Sequence, residues 1–207
     1  VMTVATTGDS PSFFVINAGN ADGIFAISNA GAITVLSNSN LNYEGGTTSY
    51  TLTIVATDAT TSDSDTVTIS VTDFDEFDVT FADPNDSDTD ANTVAENAAA
   101  DAVAQVTASA SDADGSTNTI TYSVTDQSCS GAFAVGSSSG VVTATGSGLD
   151  YETATSCTVE ITATSADSST AAVTYTIAVT DHDEFDAAAP ADSNSATNTV
   201  AENAANG

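Results

Sequence analysis

The sequence predicts an all-β protein built as two tandem β-sandwiches of about seven strands each. Three observations carry this. Thr, Ser, Ala, Val and Asp dominate the composition, and no helix-type charge pairing is present. Thr and Val favour strands, whereas Ser, Asp and Gly favour turns. Short alternating apolar runs are separated by Gly, Ser, Asn and Asp. Finally, Asp73-Phe74-Asp75-Glu76-Phe77-Asp78 returns as Asp181-His182-Asp183-Glu184-Phe185-Asp186, 108 positions later. A period that long marks an array of domains, since solenoid repeats are shorter.

The elements follow in order. Val1 to Phe14 reads as an incomplete first strand entering a second, and Phe13-Phe14-Val15-Ile16 reads as a short buried strand. Asn20-Ala21-Asp22-Gly23 is a turn. Phe25 and Ile27 alternate with polar or small neighbours, and Gly31 reverses the chain before Ile33 and Val35. Tyr50, Leu52, Ile54 and Ala56 point one way along the clearest strand. Asp58 to Asp65 reads as a polar turn, and Val67, Ile69 and Val71 form a last strand that runs into the acidic stretch. The second copy repeats these parts. Thr121-Tyr122-Ser123-Val124, Phe133 with Val135, and Gly140-Val141-Val142 fall in the same sequence. Cys157, Val159, Ile161 and Ala163 take the inward places of Tyr50, Leu52, Ile54 and Ala56, and Ile177 and Val179 close the module.

The expected organisation is a first repeat over 1–80, an acidic linker loop over 81–93, a second repeat over 94–187, and a linker plus the opening strand of a further repeat over 188–207. Val94-Ala95-Glu96-Asn97-Ala98-Ala99 opens the second repeat, and its twin Val200-Ala201-Glu202-Asn203-Ala204-Ala205 lies near the end. The first repeat lacks this opening. Joining Gly207 to Val1 yields a natural first strand, so the segment reads as cut out of phase from a longer array or polymer. Two forms of polymer are expected: a covalent array, or subunits linked head to tail by strand donation.

Charge narrows the function. There is no Lys or Arg against 29 acidic residues. Without cationic side chains the chain cannot neutralise phosphates, which excludes nucleic acid as a partner. Attraction to anionic lipid fails for the same reason. No apolar run approaches the roughly 20 residues of a membrane span, so no membrane insertion is expected. The carboxylates must be hydrated, hydrogen-bonded to neutral donors, or bound to metal ions. Cys129 and Cys157 are the only cysteines. In this composition an even pair points to one bridge, and two buried free thiols are the alternative.

The motifs, in order, resemble the cadherin-type repeat in its shorter bacterial form. Glu96-Asn97 and Glu202-Asn203 match the opening of that pattern. Asp112-Ala113-Asp114 matches its D-x-D, and Leu149-Asp150-Tyr151-Glu152 its L-D-x-E. Leu41-Asn42-Tyr43-Glu44 is the first copy of the latter, departing at Asn42. Asp73 to Phe77 and Asp181 to Phe185 match the linker, and Phe81 falls where the linker aromatic belongs. The resemblance implies tandem Ig-like, cadherin-like sandwiches with Ca2+ bound between successive modules. Calcium takes six to eight oxygen ligands, mostly carboxylates and carbonyls. The first junction would use Asn42, Glu44, Asp73, Asp75, Glu76, Asp112 and Asp114, with Glu202 supplied by an adjacent unit. The next would use Glu96, Asp150, Glu152, Asp181, Asp183 and Glu184, where the following copy offers only Thr7-Gly8-Asp9 in place of D-x-D. Asp58 sits where the family often has a further ligand, and the second copy has Ser165 there with Asp167 nearby. Asp78 and Asp186 lie beyond the motif and read as solvated.

No enzyme is expected. His182 is the only histidine, and no nucleophile near it completes a triad. Asp150 and Glu152 could form a glycosidase pair, but no Trp or aromatic cleft accompanies them. The expected function is a structural repeat of a secreted, extracellular fibre or filament whose hinges are made rigid by calcium, its partner being further copies of itself. The alternative is a stalk or binding repeat of a large calcium-dependent cell-surface adhesin, engaging a surface protein or glycan.

Overall fold

The computed structural model describes residues 2–7, 11, 13–184 and 188–205. Val1, Gly8, Asp9, Phe185, Asp186 and Gly207, which entered the expectations above, lie outside the described residues. The fold is all-β, as two tandem sandwiches. The first contains β1 (Met2–Thr3), β2 (Phe13–Ala18), β3 (Phe25–Ile27), β4 (Ala32–Val35), β5 (Ser49–Thr57) and β6 (Ser62–Ser70). Its two sheets run β1-β4-β3 and β2-β5-β6. The second contains β7 (Thr80–Asp86), β8 (Thr93–Ala95), β9 (Val103–Ser111), β10 (Thr121–Gln127), β11 (Phe133–Val135), β12 (Val141–Ala144), β13 (Ser156–Thr164) and β14 (Thr170–Thr180). Its sheets run β11-β12-β9-β7 and β10-β13-β14-β8. Pairing is antiparallel except where β8 lies parallel to β14, with Val94 opposite Val179.

Alternation sets which face is buried. In β13, Cys157, Val159, Ile161 and Ala163 are at most 1 % exposed, while their neighbours face water. Val159 and Ile161 each contribute roughly 1.5–3 kcal/mol when fully buried. β5 follows the same rule, with Leu52 and Ile54 buried and Tyr50 and Ala56 half-buried. Two separate cores result: Phe14, Ile24, Phe25, Ile33, Leu52 and Ile54 fill the first, and Val106, Phe133, Val142, Ile161, Tyr175 and Ile177 lie in the second. Cys129 and Cys157 are bonded, Cα–Cα 5.6 Å, which ties the loop before β11 to the start of β13.

Gly31 and Gly140 sit at φ +80° and +71°. At Gly31 a Cβ would strike the Val4 carbonyl, and at Gly140 the Ala108 carbonyl. Both glycines let a crossing strand approach the turn, a placement that no side chain would allow.

Three local expectations change. Phe13-Ile16 is not a two-sided buried strand: Phe14 is buried, while Phe13 and Val15 are each 40 % exposed. The strand lies in a sheet with one wet face, so period two applies. The polar turn after β5 is shorter than read, because Ser62 to Asp65 already pair with β5. There the backbone ladder overrides the low strand preference of Asp63 and Asp65. The stretch 81–93, expected as an acidic linker loop ahead of the second repeat, begins with a strand: β7 pairs with β9 through Thr80↔Ser111, Phe81↔Ala110 and Asp86↔Ala108. Its acids disguised it, but Phe81 packs on the core and Asn85 O accepts the buried Tyr175 hydroxyl at 2.8 Å.

Candidate metal centre

The joint is built by nine residues after β6 that pair with no strand. They are pinned instead by side chains of the second sandwich. The amides of Glu76 and Phe77 donate to Asp114 Oδ1 at 3.2 and 3.3 Å. The amide of Val79, a residue buried to 3 % exposure, donates to Ser169 Oγ at 2.9 Å. Asp114 is itself 2 % exposed. It is held in an Asx turn, its amide donating to Asp112 Oδ1 at 3.1 Å, with its carbonyl accepting from Asn118 Nδ2 at 2.8 Å. The D-x-D-G loop after β9 is thus held by its own hydrogen bonds.

From the first sandwich, Glu44 reaches across the joint, where Glu44 Oε1 accepts from the amide of Gly115 at 3.2 Å. A side chain at Gly115 would meet the Tyr43 ring at 2.5 Å, so only glycine lets the two domains close here. The Ser116 hydroxyl donates to Asp73 Oδ2. Two groups of three carboxylates form at this joint, the oxygens within each lying within 4.8 Å of one another: Glu44 with Asp73 and Glu76, and Asp75 with Asp114 and Asp167. A third group, Glu96 with Glu152 and Asp181, forms at the far end of the second sandwich. There Glu96 accepts the amides of Tyr151 at 2.7 Å and His182 at 2.6 Å, beside a groove of about 400 Å³ that Asp150 and Glu184 also line.

The carboxylates differ in how they carry charge. The Ser116 hydroxyl holds Asp73 below the usual carboxylate range, and the Ser165 hydroxyl, with the Asp114 amide, does so for Asp112. Asp75 is pushed up to about 6, first by desolvation and then by Asp114 and Asp167. Desolvation also raises Glu76, followed by repulsion from Glu44 and Asp114. Like charges gathered without a cation disfavour ionisation.

Among the described residues, Asp73 Oδ1, Asp112 Oδ2 and Asp114 Oδ2 are buried with no hydrogen-bond partner. Leaving such oxygens unpaired costs free energy. The chain has no Lys or Arg to answer them. An all-oxygen donor set with orphaned carboxylate atoms fits a hard divalent cation and suits neither zinc nor copper, which prefer imidazole or thiolate.

Not every candidate joins a group. Asn42 Oδ1 accepts the Gly45 amide at 2.8 Å, and Asp150 accepts Thr153 through its amide at 3.1 Å and its hydroxyl at 2.9 Å. Both close their own turns. Asp183, Glu184 and Glu202 are exposed and stand outside the three groups. Asp58 caps its hairpin, accepting the amides of Thr60 and Thr61 at 2.7 Å each. One carboxylate joins a group without having been among the expected ligands: Asp167, beside Asp75 and Asp114. It follows Ser165 by two positions in the β13–β14 turn, the place Asp58 occupies in the first copy, and that correspondence was the available signal.

The Cadherin domain family matches residues 91–180. No curated protein sequence matches the chain. Among solved structures, chicken VE-cadherin EC1-2 is similar at 22 % identity and TM-score 0.62, covering 87 % of this chain and 90 % of that one. Human protocadherin-24 EC1-2 is similar at 19 % identity and TM-score 0.63, covering 84 % and 83 %. Both pairs of tandem repeats share the fold described above. The second sandwich, over residues 91–180, thus matches the Cadherin domain family, and the two sandwiches together have the fold of paired cadherin repeats.

Proposed function

We propose that this chain is a structural repeat of an extracellular fibre or filament whose joints are made rigid by calcium, with repeats running head to tail either as one covalent array or by strand donation. One observation carries the reading: three buried carboxylate oxygens, on Asp73, Asp112 and Asp114, have no donor at a joint between two sandwiches. Bound calcium would supply the positive charge that this chain lacks. Glu44, Asp73, Asp75, Glu76, Asp112, Asp114 and Asp167 would hold it, drawing ligands from the first sandwich, the linker and the second sandwich at once. Without a cation the same groups repel, and the joint rests on the few amide contacts around Asp114. A site of this kind stiffens a chain of domains and performs no reaction.

The test is calcium titration followed by melting and small-angle scattering. At a free concentration about 100 times Kd, binding confined to the native state stabilises by about 2.7 kcal/mol. For domains of this size that corresponds to roughly 10 °C or more. The maximum particle dimension should lengthen and its distribution narrow. An unchanged melting temperature and an unchanged scattering curve would refute the reading.

A further inference from the structure

The two sandwiches are unequal. Among the described residues, each sheet of the first has three strands and each sheet of the second has four. The extra strands, β7 and β8, come from one continuous stretch. β8 pairs with the outer edge of β14, where Val94 is buried to 5 % exposure. The equivalent of β14 is β6, and its edge has no strand on it among the described residues. The consequence shows in the core: Ile177 and Val179 are buried, while their counterparts Ile69 and Val71 are only half-buried. An open groove of about 610 Å³ lies where β7 would run, lined by Val4, Phe14, Ile54, Ala56 and Val67.

A stretch of the same sequence as β8 and its flanks occurs a second time in the chain. Asn198 to Ala205 repeats Asn92 to Ala99 residue for residue, and Pro190, Asp192 and Ser193 repeat Pro84, Asp86 and Ser87 at the same offset. Residues 188–205 form no strand, and Val200 is 83 % exposed, whereas its twin Val94 is buried. Yet the segment already holds the turns of its twin. Asp192 Oδ1 accepts the Asn194 amide at 2.9 Å, as Asp86 Oδ1 accepts that of Asp88 at 3.0 Å. Asn194 Oδ1 accepts the Ala196 amide at 2.9 Å, as Asp88 Oδ1 accepts that of Asp90 at 2.9 Å. The Ala204 amide donates to Ala201 O at 3.0 Å, as that of Ala98 does to Ala95 O at 3.0 Å. A segment shaped before binding loses less conformational freedom on docking.

We infer that residues 188–205 dock on the first sandwich of a second copy of this chain, adding one strand to each of its sheets. This deepens the head-to-tail polymer proposed above and rests on it. In the register of β8 on β14, Val200 lies opposite Val71 and packs over Ile69. The same register carries Glu202 to Glu44 and Asp73, as Glu96 stands with Glu152 and Asp181. Docking therefore completes both the hydrophobic core and the carboxylate group of the joint, and the contact is heterologous, so it propagates as a filament.

The test uses the full chain, its Val200→Asp variant and a synthetic peptide of residues 188–205. Wild-type chain should form assemblies that grow with concentration by light scattering. Val200→Asp should stay monomeric with unchanged circular dichroism, because the residue is exposed in the free chain. The wild-type peptide should bind the Val200→Asp chain one to one in EDTA, and a peptide carrying Val200→Asp should bind about 100-fold more weakly, since a carboxylate would replace a buried valine. Calcium should tighten the wild-type peptide but not one with Glu202→Gln. Assembly of Val200→Asp equal to wild type would overturn the inference. So would absence of peptide binding in EDTA, or a wild-type chain that stays monomeric where the peptide binds. If calcium proves irrelevant to the joint, binding in EDTA survives and only the calcium-dependent gain disappears, which separates the two failures.

Discussion

The amide of Gly115 donates to a carboxylate oxygen of Glu44 at 3.2 Å, a direct hydrogen bond from the second sandwich to the first. Tyr43 packs on the same glycine, leaving no room for a side chain. Gly115→Ala should therefore force the two domains apart at this point. Overpacking of this kind costs roughly 1–3 kcal/mol. The expected outcome is a loss of calcium affinity and a wider scattering distribution, with each sandwich retaining its own strand content by circular dichroism.

Asp114 holds the linker through two amides and leaves Oδ2 without a donor. Asp114→Asn keeps the acceptor for those amides and removes one charge. Calcium affinity should fall by about tenfold or more, because ligand charge sets affinity in sites of this type. Isothermal titration measures it. Asp112→Ala should loosen the same joint and leave both sandwiches folded, which heteronuclear spectra of the two cores would report.

The joint should respond to pH in the metal-free state. Asp75 is raised to about 6, so its protonated form is favoured by the fold. That contribution is fully present below the ordinary carboxylate value near 4 and is lost as pH rises through about 6. Asp73 and Asp112 run the other way: they are lowered, so their contribution is present above that ordinary value and is lost as pH falls through their depressed values. Between about pH 4 and 6 Asp75 governs the balance. Metal-free protein should melt higher at pH 5 than at pH 7.5, and the gain produced by calcium should be larger at pH 7.5. The opposite ordering in EDTA would show that desolvation and repulsion at Asp75 do not control this joint.

The bond between Cys129 and Cys157 closes a loop of 28 residues within the second sandwich only. By chain entropy such a loop stabilises by about 3–4 kcal/mol. A reductant should lower the melting transition of the second sandwich and leave that of the first in place. Scanning calorimetry with and without reductant, in EDTA to uncouple the joint, distinguishes the two transitions.

Much of the fold was legible because strand periodicity is local. Leu52 and Ile54, like Val159 and Ile161, declare their inward face by alternation alone, and the repeat of Asp73 to Asp78 at Asp181 to Asp186 declared two related domains. The acidic types and their order also marked where carboxylates gather. What remained hidden was decided by contacts distant in sequence. The acids of 83 to 90 concealed a strand that exists because Phe81 packs on the second core and Asn85 O accepts the Tyr175 hydroxyl. Asn42 and Asp150, ligands by motif, cap their own turns, because a side-chain acceptor two or three residues from an amide is satisfied locally. Asp167 joins Asp75 and Asp114 only because the β13–β14 turn folds beside them. Alternation and repetition belong to the primary structure, whereas which carboxylate faces which depends on how the sheets bring distant turns together.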